Sequence, residues 1–192
     1  MNNYDREQTL LKLGIDHNKK IILFTSQPVT DEENFVLLQE IFDEFSKLSE
    51  DFHLIIKLHP AEDGRLHKNI AKNFKNYSII QNIDIFEIIN ASDIVITYWS
   101  TTGLEAMVFG KPLIVLNLSG KPDKVDYVKE DAALGVYNKN NLSKSIMKCL
   151  DDSEFNKKMI ESQKKFIYKE AYKIDGHVAK RLLNIVYGMM KK

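Results

Sequence analysis

Apolar residues along this chain fall into short, nearly unbroken runs, and between the runs they recur every three or four positions. The runs KKIILFTS (19–26), FHLIIKLHP (52–60), YSIIQN (77–82), DIVITYW (93–99) and LIVLN (113–117) are too short for amphipathic helices and too continuous for strands with one wet face. They predict strands buried on both sides. Phe35, Leu38, Ile41, Phe42 and Phe45 line one face of a helix predicted over 31–48, whose first turn holds Asp31, Glu32 and Glu33, the charge a helix dipole favours there. Shorter helices are predicted over 6–15, stopped at Gly14; over 64–74; over 84–91, with Asp84 as cap; and over 102–109, closed by Gly110-Lys111-Pro112.

Buried strands that alternate with helices predict an α/β fold, a Rossmann-like parallel sheet with helices on both faces. The tail from 141 to 192 is predicted as helices, with its Met and Leu stripes assigned to the core. Residues 1–18 form a lead containing the short first helix, and 19–192 a single domain.

Composition narrows the possible functions. The chain has 192 residues, 44% hydrophobic and 28% charged, enough for a packed interior under a soluble surface. Lys plus Arg number 27, as do Asp plus Glu, which argues against nucleic acid or an anionic membrane as partner while leaving room for a local phosphate site. The single cysteine excludes an intrachain disulfide framework and a cysteine-based zinc site. That residue, Cys149 in SIMKCL, reads as a buried helix position. Its histidines show no HExxH or similar spacing, so no metal is expected. The opening MNNYDREQ is unlike a signal peptide and no apolar run spans a bilayer; the expected location is the cytoplasm.

Open parallel sheets bind ligands at the carboxyl ends of their strands. The polar groups predicted there are Thr25-Ser26-Gln27, Lys57 with His59-Pro60, and Tyr98 through Thr102. In the last of these a strand turns abruptly into a helix. Free amides and the hydroxyls of Ser100, Thr101 and Thr102 suit a phosphate, and Gly103 would let it approach the backbone. Thr102-x-x-Glu105 also spells a capping box, and the two readings are compatible. A Glu105 not spent on the cap can accept from vicinal hydroxyls, which suits a ligand carrying both phosphate and diol, such as a nucleotide. His59, kept extended by Pro60, can donate to phosphate or exchange a proton near neutrality, whereas His17, His53, His67 and His177 have no comparable setting. GxGxxG, GxxxxGK[ST] and GxSxG are absent, against a dinucleotide dehydrogenase, a P-loop ATPase and a serine hydrolase.

The segments REQTLLKLGIDHNKKIILFTSQP, IIKLHP, DIFEIINASDIVITYWSTTGLEAMVFGKPLIVLN and DGHVAKRLL together resemble the carboxyl-terminal, donor-binding half of GT-B-type sugar-nucleotide enzymes. The likeness is to CDP-glycerol glycerophosphotransferases and surface-polysaccharide transferases, and more distantly to UDP-N-acetylglucosamine 2-epimerases. It implies a nucleoside-diphosphate donor, CDP- or UDP-linked, as substrate with no separate cofactor. It implies that His59 acts on the donor phosphates as the catalytic group, that Ser100, Thr101, Thr102 and Gly103 cradle the diphosphate, and that Glu105 holds the ribose hydroxyls. Thr25, Ser26 and Gln27 would approach the transferred group, and Gln81, Asn82 and Asp84 the base. The resemblance assigns 19–192 to nucleotide-donor binding in surface-polysaccharide or teichoic-acid-like polymer synthesis. The acceptor site would come from a missing amino-terminal domain or a partner protein, which would also supply any peripheral membrane association. Epimerisation is an alternative chemistry on this fold. Tyr98-Trp99, bulky where such proteins carry small residues, instead suits a degenerate interaction module with an apolar docking patch and Glu105 committed to its cap.

Overall fold

A computed structural model describes residues 4–173 and 175–190. The start of the lead and the last two residues of the predicted helical tail lie outside the described residues. In chain order the elements are α1 (Arg6–Lys12), β1 (Lys20–Thr25), α2 (Asp31–Phe45), β2 (Phe52–Lys57), α3 (Arg65–Ala71), β3 (Tyr77–Ile80), α4 (Ile85–Ala91), β4 (Ile94–Thr97), α5 (Thr102–Val108), β5 (Leu113–Leu116), β6 (Leu134–Val136), α6 (Leu142–Asp151), α7 (Ser153–Ala171) and α8 (Val178–Met190). The six strands pair in the order β3-β2-β1-β4-β5-β6, parallel throughout.

Alternate strand residues feed two cores, which is why the runs are apolar without interruption. Ile22, Phe24, Ile56 and Ile96 pack with Leu38 and Phe42 of α2 and Ile146 of α6. Ile21, Leu23, Ile55 and Val95 pack on the other face with Leu10 of α1, Ile88 of α4, Ala106 of α5 and Phe166 of α7. Cys149 is fully buried, and burial pushes its thiol up to about 12, so it is unreactive near neutrality.

The structure departs from the sequence reading in four places. The strand β6 was not predicted: its three residues, with Gly135 in the middle, carry too little pattern to read. Helix α2 ends at Phe45 rather than Leu48, and Phe35 is 49% exposed. Buried Glu40 and Glu44 lie on the same helix instead: Glu40 accepts the N–H of Asn140, and Glu44 accepts from the N–H and hydroxyl of Ser143, so both satisfy the start of α6 from across the core. The apolar stripe of α8 is not core. Leu182, Leu183, Val186, Tyr187 and Met189 are exposed, because α1 to α7 already cover both sheet faces. Among the described residues no helix is long and apolar enough to cross a membrane.

Candidate functional site at the switch point of the sheet

Between β1 and β4 the strand order reverses direction, which makes the loops after these two strands the switch point where open parallel sheets take ligands. Side chains stitch the loops together. Thr25 Oγ1 lies 3.0 Å from Thr102 Oγ1, and Gln27 Oε1 accepts the Trp99 N–H at 2.9 Å. Ser26 Oγ donates to Glu62 Oε1 at 2.8 Å and lies 2.9 Å from His67 Nε2. Ser26 and Gln27 are thus buried, with the Ser26 hydroxyl and the Gln27 side-chain oxygen bonded inside the protein.

The β4–α5 turn is built differently from its sequence signature. Thr101, in helical conformation and without a side-chain cap bond, occupies the cap position, and Thr102 is already the first helical residue. The Thr102 N–H goes to Ser100 Oγ at 3.2 Å, and Ser100 O accepts from Gly103 N–H at 3.1 Å and from the Tyr127 hydroxyl at 3.1 Å. The Thr102–Glu105 capping box therefore does not form, since its threonine hydroxyl is turned to Thr25. Glu105 is left with Oε2 buried and without a hydrogen-bond partner. Burial, and then the nearby carboxylate of Asp84, raise its pKa above the ordinary glutamate value. The docking-module alternative required Glu105 in its cap and an exposed apolar patch of Tyr98 with Trp99, which is itself partly buried against the core. The structure gives neither, because Tyr98 is only 9% exposed and belongs to the core.

Gly103 also has a different reason from the one its position suggests. A Cβ there would lie 2.5 Å from Cε2 of Tyr127 and 3.2 Å from Leu113 Cδ2, so the glycine makes room for the tyrosine ring. Trp99 packs partly into the core with Nε1 buried and unpartnered, and the Lys124 ammonium sits 4.0 Å from its ring centroid.

His59 lies on the exposed turn after β2. Its backbone N–H donates to Glu62 Oε2 at 2.8 Å, and its Nδ1 accepts the Ala61 N–H at 3.1 Å. The neutral ring must then carry its proton on Nε2, which makes that nitrogen a donor. Gln81, expected near a base, braces this turn instead: its Nε2 donates to the carbonyls of His59, Pro60 and Glu62 at 3.1, 3.3 and 2.8 Å. Asp84 caps α4 through the Phe86 N–H and accepts the Tyr4 hydroxyl. Lys57 is buried with its ammonium on the Leu58 carbonyl, and burial lowers its pKa.

The sequence reading missed Glu62, His67 and Tyr127. Each acts through a partner distant along the chain or through burial, and neither leaves a periodic trace.

Residues 2–186 match the family model described as UDP-N-acetylglucosamine 2-epimerase. Over 99 residues, half of this chain but 25% of the relative, the sequence is 32% identical to the teichoic acid glycerol-phosphate primase of Bacillus subtilis. Among solved structures, the UDP-GlcNAc 2-epimerase of Neisseria meningitidis bound to UDP-GlcNAc superposes with a TM-score of 0.62 at 19% identity, over 88% of this chain and 49% of that one. A glycosyltransferase from Rickettsia africae gives 0.68 at 19% identity, over 88% of this chain and 48% of that one. The chain thus spans about half the length of these solved structures. Its fold is a GT-B-like Rossmann half-domain.

Proposed function

The chain belongs to the UDP-N-acetylglucosamine 2-epimerase family, and from that premise we propose that it binds the nucleoside-diphosphate part of a UDP-linked sugar at the β1/β4 switch point. The observation that carries this reading is Glu105, whose buried, unpartnered Oε2 stands one turn into α5 behind the Ser100–Thr102 hydroxyls. A buried carboxyl oxygen without a partner is costly for a fold unless a ligand satisfies it. A ribose diol supplies two donors to it, while the hydroxyls of Ser100 and Thr101 and the Nε2–H of His59 serve the diphosphate. Sugar chemistry itself belongs, in this reading, to a cleft completed by a second domain or a partner protein, as the greater length of the relatives suggests. The segment shared with the Bacillus subtilis primase favours a second reading on the same site, a CDP-linked polyol phosphate as donor for transfer to a surface polymer.

Titration followed through Trp99, the sole tryptophan, tests both. UDP binding tighter than uridine supports a diphosphate site, and CDP preferred over UDP selects the transferase reading. A cycle of wild type and Glu105→Gln, each against UDP and 2′-deoxy-UDP, tests the diol contact. A coupling above about 0.5 kcal/mol is expected, and additive losses reject it.

A further inference from the structure

Glu62 stands three residues after His59, with a side chain only 8% exposed. Its Oε2 accepts the His59 N–H at 2.8 Å, while Oε1 accepts from Ser26 Oγ at 2.8 Å and from Asn34 Nδ2 at 3.3 Å, with His67 Nε2 at 3.7 Å. One carboxylate thereby joins the loop after β1, the first turn of α2 and the turn after β2. His67 is no counter-ion for it: burial holds that imidazole below its usual range despite the pull of Glu62, so it is neutral at pH 7. The Ser26 hydroxyl gives its one proton to Glu62 and accepts from the His67 ring.

An apolar side chain of this volume would be cheaper to bury than a carboxylate. The carboxylate adds direction. The His59–Glu62 turn is held on its amide side by Glu62, on its carbonyl side by Gln81, and on the ring itself by the Ala61 N–H. We propose that Glu62 is the positioning residue of the anion site: its buried carboxylate locks the His59 turn to the β1 loop, so that the imidazole offers its Nε2–H to a bound diphosphate. This rests on the role given to His59 above.

The test uses UDP and uridine as probes on wild type, Glu62→Met, Glu62→Gln, His59→Ala and the Glu62→Met/His59→Ala double variant. Glu62→Met, of similar length but without acceptors, is expected to weaken UDP about 3- to 10-fold and uridine less than about 2-fold. Glu62→Gln, which keeps one acceptor oxygen, recovers part of the loss. In the His59→Ala background the Glu62 substitution should cost almost nothing further, because its effect runs through the imidazole. Equal losses in both backgrounds, equal losses for both ligands, or no loss in Glu62→Met would each overturn the proposal. Should Glu62→Met fail to fold by thermal melt, Glu62→Gln replaces it in the cycle. Imidazole nitrogen NMR separates this proposal from the binding reading. Wild-type His59 should show the Nε2–H tautomer and the Glu62 variants a mixture, with or without UDP. If wild type binds UDP no better than uridine, the diphosphate reading falls, and the tautomer spectra alone decide the positioning role. An unchanged tautomer refutes it.

Discussion

The two ends of the parallel sheet differ in how their polar groups are used. At the amino end a cavity of about 550 Å³ is lined by Arg6, Lys20, Asp93 and Lys111 among others, whereas the cavity of about 260 Å³ beside Tyr98 near the carboxyl end is mostly apolar, lies against α2 and the loop after β5, and does not include Glu105. The charges of the larger cavity are consumed by the fold. Arg6 donates to Asp93 at 2.8 Å and to the Lys19 carbonyl at 3.0 Å, and Asp93 also takes the Ile21 N–H at 2.7 Å. Lys111 donates to the carbonyls of Asn90 and Ser92 at 2.8 and 2.7 Å. Among the described residues, the unpartnered buried atom lining that cavity, Asn156 Oδ1, is a neutral amide oxygen, whereas at the carboxyl end the indole Nε1 of Trp99 and a carboxyl oxygen of Glu105 are both without a partner. The contrast teaches that the charges of the larger cavity serve the fold, whereas one carboxyl oxygen of Glu105 is left without a partner inside it, the feature on which the proposed ligand site rests.

The strongest way to break this comparison is to remove Asp93. Asp93→Ala removes the counter-ion of Arg6, which keeps its carbonyl acceptors, and strands the Ile21 N–H, and a stability loss of about 2–3 kcal/mol is expected, read by urea unfolding, with the UDP-to-uridine affinity ratio unchanged. A shifted ratio in the folded variant would mean that the amino end takes part in binding. Gly103→Ala should cost about 1–3 kcal/mol by pressing on the Tyr127 ring, and should weaken UDP as well, because the Tyr127 hydroxyl holds Ser100 O. Unaltered melting would show that the tyrosine can move aside.

The smallest effect has the sharpest sign. Glu105 has a folded pKa raised above its unfolded value, so its stabilising contribution is present below the ordinary glutamate pKa and is lost as pH rises through the raised one. Glu105→Gln should therefore melt above wild type at pH 7, with the gap closing on acidification. Over the same pH range wild-type UDP affinity should fall with acid, since a protonated Glu105 accepts less well from a diol. Stability and binding moving in opposite directions would tie the unpartnered carboxyl to the ligand. A Glu105→Gln variant that melts below wild type would assign the residue to structure instead.

Much of the fold was legible because its signals are local. Unbroken apolar runs reported strands covered on both faces, the helical period of Leu38, Ile41, Phe42 and Phe45 reported α2, and Asp84 announced the start of α4. The candidate site was legible as a place, since sheet topology sends ligands to strand ends, but not as a set of roles. Gln27, Gln81 and Gly103 are conspicuous in sequence, yet in the structure they brace loops and make room for a neighbour.

By itself, then, the sequence determined the α/β alternation, the double burial of the sheet and the strand ends where polar residues gather. These depend on periods and caps within a few residues of chain. Only the tertiary structure decided that Thr102 turns to Thr25 and leaves one Glu105 oxygen without a partner, that Glu62 joins two loops and that Leu182, Leu183, Val186 and Tyr187 of α8 stay outside the core. A side chain with several possible partners takes the one that packing brings within reach, and no local pattern records that choice.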